Sequence, residues 1–168
     1  DTRGRSLTLV NHVATMYDRP IATATNLARA LDYLGRVMDP DEDVLVLYFT
    51  SHGERNHDLA VSFEPLRLQP VTPRMLAAML DAAGIRYRVL AISACYSGGY
   101  IEPLADSRTL VMTAADATRT SFGCGPDSDF TYWGRAVFDE QLRLTFSFAE
   151  AFRRALPLLR ERERAAGH

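Results

Sequence analysis

The chain is 168 residues long, 47% apolar and 24% charged, with a formal net charge of −2, the profile of one ordinary globular domain with a single core. All nineteen cationic side chains are arginine; they gather only at Arg153, Arg154, Arg160, Arg162 and Arg164, interleaved with Glu150, Glu161 and Glu163, which describes a solvated mixed surface and excludes a nucleic-acid patch. No apolar run approaches the roughly 20 residues of a membrane span, and two cysteines with four scattered histidines exclude both a disulfide scaffold and a zinc pattern.

Ser6 to Asn11 opens the chain as a short alternating strand suited to a place near a sheet edge. After a loop containing Pro20, Thr25 is the expected N-cap of a helix whose Leu27, Ala30, Leu31, Leu34 and Val37 recur at helical spacing. Asp39 to Asp43 then turns the chain into Val-Leu-Val-Leu-Tyr-Phe-Thr, a run expected to form a strand buried on both faces, followed by Ser51, His52 and Gly53. Leu59 to Leu68 alternates weakly and contains Pro65, as an edge hairpin would. Thr72 and Pro73 start a second helix, with Met75, Leu76, Met79 and Leu80 as its buried stripe and Gly84 as its stop.

From Arg88 a second apolar strand runs to Ser93-Ala94-Cys95, and Gly98 and Gly99 permit a tight exit into a short amphipathic piece, Tyr100 to Leu104. Thr109 to Thr113 forms another short strand. Asp116 to Asp129 is a long loop of small polar residues, of the kind that more often carries function than not. Phe130 to Leu142 is rich in aromatic residues and ambiguous, with a helix favoured. The last helix is marked by a capping box, Ser147 with Glu150, and an apolar face of Ala151, Phe152, Ala155, Leu156 and Leu159; Pro157 is expected to kink it or weaken its preceding turn. Neither an internal repeat nor a linker divides residues 1–168, so they read as a single domain.

Strand, helix and strand make a right-handed crossover in which the two strands run parallel and end on the same side of the sheet. Ligands of open α/β sheets bind in the crevice beyond those carboxyl ends, so His52 and Cys95 are expected to face one pocket. A thiol is a strong nucleophile as the thiolate, and an imidazole beside it takes its proton or stabilises the anion. The backbone N–H groups of Gly53 and Cys95 are the natural donors for a tetrahedral oxyanion, since a residue without a side chain lets substrate approach the main chain. Singly, such a cysteine is usually a small buried hydrophobe and such a histidine a hydrogen-bonded turn residue. Their conjunction, each at a strand's end, with Gly53 after the histidine and Ser97-Gly98-Gly99 beyond the cysteine, points to catalysis.

Thr50-Ser51-His52-Gly53 and Ser93-Ala94-Cys95-Tyr96-Ser97-Gly98 resemble the His-Gly and Ala-Cys-x-Ser-Gly motifs of the legumain-type cysteine peptidases, relatives of caspases and gingipains. The resemblance continues through Thr113-Ala114-Ala115, Ser121-Phe122-Gly123-Cys124 and Thr131-Tyr132-Trp133-Gly134, and so extends from Thr25 to about Phe138. It implies a caspase-like three-layer α/β sandwich with a mostly parallel central sheet, Cys95 as nucleophile, His52 as general base or acid, Gly53 in the oxyanion hole, and peptide-bond hydrolysis through an acyl-enzyme without metal or other cofactor.

Three departures limit what the resemblance carries. The family's first strand and helix, with a supporting catalytic asparagine and one arginine of the specificity pocket, precede the element that matches Ser6 to Asn11; that unit is expected to be absent from this chain and supplied by an N-terminal segment or a separate chain. Asn11 stands in for the asparagine only if Ser6 to Asn11 is itself the first strand. Where asparagine-specific members carry acidic residues, this chain has Ser93 and Arg135; with Ser121 they are the expected substrate-binding residues, and Arg135 favours an acidic side chain if it faces the pocket. After Leu159 the chain holds too little to act as the C-terminal prodomain of family zymogens.

Cys124 is assigned to the core or the pocket loop, His57 to a surface loop with substrate contact as a second role, and His12 has no evident partner. The leading reading is a cysteine endopeptidase acting on peptide or protein substrates. Transpeptidation or amidase chemistry by the same dyad, and a non-catalytic module that binds a peptide or partner along an open sheet edge, are the alternatives.

Overall fold

Helix and strand alternate along most of the chain, which the computed structural model describes over residues 4–123 and 130–167. Helix α1 (Ala24–Val37) leads to strand β1 (Val44–Thr50), helix α2 (Pro73–Ala83) and strand β2 (Tyr87–Ser93). A 3-10 turn over Ser97–Tyr100 then runs into the short helix α3 (Ile101–Leu104) and strand β3 (Thr109–Thr113). A turn of helix, α4 (Tyr132–Gly134), widens into π-helical turns over Arg135–Gln141 before the long helix α5 (Phe148–Ala165). The strands form one sheet in the order β1-β2-β3, parallel throughout, with Val44 opposite Tyr87, Thr50 opposite Ser93 and Arg88 opposite Thr109. This is an α/β, caspase-like architecture.

Two apolar layers hold the sheet. On one face α1 (Leu27, Leu31) and α2 (Leu76, Leu80) bury Leu45 of β1 and Leu90 and Ile92 of β2. On the other, α4, the π-helical turns and α5 (Trp133, Ala136, Val137, Ala155, Leu159) close over Val89 and Ala91 of β2 and Met112 of β3. Leu76, Leu80 and Leu90 are completely buried, each contributing about 1.5–3 kcal/mol by its removal from water.

That second layer stops short of β1, which overturns the expectation of a strand buried on both faces. Val44, Val46 and Tyr48 remain 53%, 48% and 44% exposed, although the Tyr48 ring stacks on Trp133 and meets the edge of Phe138. An apolar run specifies a strand; whether both faces are covered depends on helices elsewhere in the chain.

Other local expectations need correction. No strand forms over Ser6 to Asn11: the Val10 N–H donates to the Pro20 carbonyl, and the Asn11 side chain donates to the Ala22 carbonyl (3.0 Å) and accepts from the Ala22 N–H (2.7 Å). Asn11 thus closes a loop over residues 12–21 instead of ending a ladder, so it does not stand as the asparagine of a first strand. The N-cap of α1 is Thr23, whose extended backbone lets its hydroxyl accept the Asn26 N–H (3.1 Å), and Thr25 lies inside the first turn. The hairpin expected over Leu59 to Leu68 is reduced to a tight antiparallel turn, Phe63 bridged to Leu66 with the Leu66 N–H donating to the Phe63 carbonyl at 2.8 Å, while Leu59 joins Gly53 and Val71 instead.

Where capping chemistry was clear, the elements stand as expected. Thr72 caps α2 with Pro73 in its first turn, and Gly84 ends it in the left-handed conformation, φ 67°. Ser147 caps α5, accepting the Glu150 N–H at 3.3 Å. The box is only half made, because Glu150 turns to Arg153 and Arg154, whose hydrogen bonds hold its carboxyl below the usual carboxylate range. Helix α5 continues through Pro157 to Ala165. The favoured helix in Phe130 to Leu142 begins at Tyr132.

Candidate active site

Strand pairing sets the geometry at the carboxyl end of the sheet. Thr50 and Ser93 are the last paired residues of β1 and β2, and the Ser51 N–H extends the ladder by donating to the Ser93 carbonyl at 3.2 Å. His52 and Cys95 therefore sit at equal steps beyond the same rung. Closeness of the two backbones is recorded at Gly53, where a Cβ would lie 1.9 Å from the Cys95 carbonyl oxygen and 3.1 Å from its nitrogen. Any side chain there would displace the cysteine, so glycine is demanded by approach of main chain to main chain.

Loop pairing also leaves the proposed donors available. The Ala60 N–H donates to the His52 carbonyl and the Glu54 N–H to the Asp58 carbonyl, both at 2.9 Å, a widely spaced pair that bypasses the Gly53 N–H. Among the described residues neither the Gly53 N–H nor the Cys95 N–H donates to a carbonyl.

Cys95 is a free, half-buried thiol. Its sulfur accepts the Ser121 N–H at 3.4 Å and lies 3.8 Å from both the carbonyl oxygen and the hydroxyl of Ser121. Ser121, singled out for substrate binding, thus lies against the Cys95 thiol. The loop before it is tied to the turn after Cys95: Tyr96 N–H donates to the Arg119 carbonyl at 2.8 Å, and the buried Ser97 hydroxyl accepts the Ala115 N–H at 3.2 Å. Within that loop Asp116 accepts from the Thr118 N–H (2.6 Å) and hydroxyl (2.9 Å), which holds its carboxyl below the usual range.

His52 is exposed, and its ring has no hydrogen-bond partner among the described residues. Ser93 is buried, 3% exposed, and its hydroxyl lies 3.1 Å from that of Thr131. Thr131 in turn caps α4, its hydroxyl accepting the Gly134 N–H at 3.0 Å while its carbonyl accepts the Arg135 N–H at 2.9 Å. Ser93 is thereby linked to the base of the segment that carries Arg135. The Arg135 side chain is exposed and pairs with no carboxylate among the described residues. Cys124 lies outside the described residues.

Two residues matter more than the sequence suggested. Thr131 joins Ser93 to α4, and its only signal was a hydroxyl residue ahead of Tyr-Trp-Gly. His57 is not a free surface residue: its Nδ1 lies 3.1 Å from the Tyr96 carbonyl oxygen. The Ser121 N–H against the sulfur and two backbone N–H groups without a carbonyl partner among the described residues lie at the carboxyl end of the sheet, where His52 leaves β1 exposed. Among the described residues no His, Cys, Asp or Glu cluster could hold a metal ion, and no helix is long and apolar enough to cross a membrane.

A model of the Peptidase C13 family matches residues 23–151. The match begins at the N-cap of α1 and takes in His52, Gly53, Ser93, Cys95, Ser121 and Arg135. No curated protein matches the chain.

Proposed function

The chain belongs to the Peptidase C13 family, the legumain-type cysteine peptidases, and we propose that it cleaves peptide bonds through a Cys95–His52 dyad within a single domain over residues 1–168. In this reading His52 takes the Cys95 proton, the sulfur attacks the scissile carbonyl carbon, and the Gly53 and Cys95 N–H groups receive the oxyanion. Collapse expels the amine, which takes the proton back from the imidazolium. Water, deprotonated by His52, then attacks the thioester, and the acid leaves as the thiol re-forms.

The observation that carries this reading is the packing of Gly53 against the Cys95 backbone beyond the last rung of a parallel ladder. Its test is labelling by a peptidyl electrophile near neutral pH, followed by mass spectrometry. Stoichiometric modification of Cys95 that His52→Ala abolishes is the expected result. An intact fold with no modification would instead favour a module that only binds.

Ser93, Ser121 and Arg135 form the proposed substrate pocket, with Ser93 acting through Thr131. An exposed guanidinium without a carboxylate partner among the described residues suits a substrate with an acidic side chain before the scissile bond. A fluorogenic library varied at that position should favour Asp or Glu by about tenfold, the worth of one charge-assisted hydrogen bond; a preference for asparagine would contradict the assignment.

One observation bears on partners. The outer edge of β1 has no neighbouring strand among the described residues, and its outward row is apolar. An added strand, from an N-terminal segment or a separate chain, would complete the sheet beside His52.

A further inference from the structure

We propose that His57 is a positioning residue for the dyad, fastening the loop that carries His52 to the turn that carries Cys95; this rests on the peptidase reading above. His57 and Tyr96 are the described non-glycine residues with left-handed backbone, φ 72° and 55°, a conformation costly for bulky side chains and held only when the surroundings over-determine it. They are joined to each other. Because a carbonyl oxygen only accepts, the 3.1 Å contact to Tyr96 requires the proton on His57 Nδ1.

The ring lies flat against Gly99, where a Cβ would fall 2.1 Å from its Cγ and 2.4 Å from its Nδ1. Alongside, the Arg55 guanidinium sits 5.7 Å from the centre of the Tyr96 ring. On its own side His57 is fixed by its N–H, which donates to the Glu54 carbonyl at 2.8 Å. One end of the brace is thus built into the loop between His52 and Ala60, and the other grips the residue next to the nucleophile. In this reading His52 is the base, and His57, its Nδ1 committed to a backbone carbonyl, is the brace. Its role is to hold the separation of the two strand ends.

The test compares wild type, His57→Gly and His57→Asn in Cys95 modification by a peptidyl electrophile, resolving the maximal rate from the half-saturating concentration, with thermal melting alongside. Glycine keeps the left-handed backbone and removes the ring; asparagine tolerates that backbone and restores an N–H donor. The maximal rate should fall about tenfold in His57→Gly, the worth of one hydrogen bond, with half-saturation within about twofold, and should largely recover in His57→Asn. Should His57→Gly not fold, Gly99→Ala, which pushes the ring aside and leaves His57 in place, carries the same expectation.

An unchanged maximal rate in the ring-deleted or ring-displaced protein, or an asparagine variant as slow as the glycine one, overturns the proposal while the dyad stands. Wild type that does not react at Cys95 overturns the peptidase reading, and the brace with it.

Discussion

Strands β1 and β2 are near twins in sequence, seven residues each of mostly apolar side chains ending in a hydroxyl, yet they live in different surroundings. From Val89 to Ser93 every residue of β2 is buried, whereas β1 alternates between a covered face and an open one. The residues they deliver differ in the same sense. His52 leaves β1 exposed, and Cys95 leaves β2 half-buried, gripped by the loop from Ala115 to Ser121. A nucleophile is useful when its position is fixed, and an acid–base group when it can reach both sulfur and leaving group. In the proposed mechanism the central strand supplies the first condition for Cys95, and the outer strand leaves room for the second at His52.

The contact between the two strand ends can be broken most severely at Gly53. A methyl group there meets the Cys95 carbonyl well inside van der Waals distance, so Gly53→Ala should slow electrophile labelling of Cys95 by about 10²–10³, the effect of losing one oxyanion donor. A variant that labels at the wild-type rate would show that the two backbones are not in register.

Stability should separate the strands next. Leu90→Ala in β2, at a site with no exposure, should cost about 2–5 kcal/mol in denaturant unfolding. Val46→Ala in β1, half exposed, should cost no more than about 1 kcal/mol. Equal costs would erase the distinction and mean that the outer face of β1 is covered in solution.

Much of this was legible in the sequence, because it depended on local chemistry. Thr72-Pro73 and Ser147 announce helix starts through a hydroxyl acceptor and a residue without an N–H, and the apolar runs before His52 and Cys95 announce strands. Parallel pairing followed from the helix between them. Long-range facts were hidden. Thr25 and Thr23 are equally good caps on paper, and the choice was made by which backbone is extended and by Asn26, whose side chain also reaches the Ile21 carbonyl. Ser6 to Asn11 alternates like a strand but finds its hydrogen bonds within its own loop. His57 had no readable pattern, since its partner lies 39 positions away and its fit depends on glycine at residue 99.

The same limit applied to the site. His52, Gly53 and Cys95 could be named because strand ends and small residues mark them, and Ser121 because it belongs to a motif. That Ser121 would offer its N–H to the sulfur, or that Ser93 would reach α4 through Thr131, depends on how separate loops meet. Arg135 was visible as a substitution in a motif, and its exposure follows from its place in the turns after α4.

The most direct test of the central claim is a crystal structure of the protein with a peptide aldehyde bound to Cys95. The account predicts a hemithioacetal whose oxygen lies within hydrogen-bond distance of both the Gly53 and Cys95 N–H groups, with the His52 ring within reach of the sulfur. An adduct oxygen pointing to solvent, or an imidazole turned away across the sheet, would contradict it.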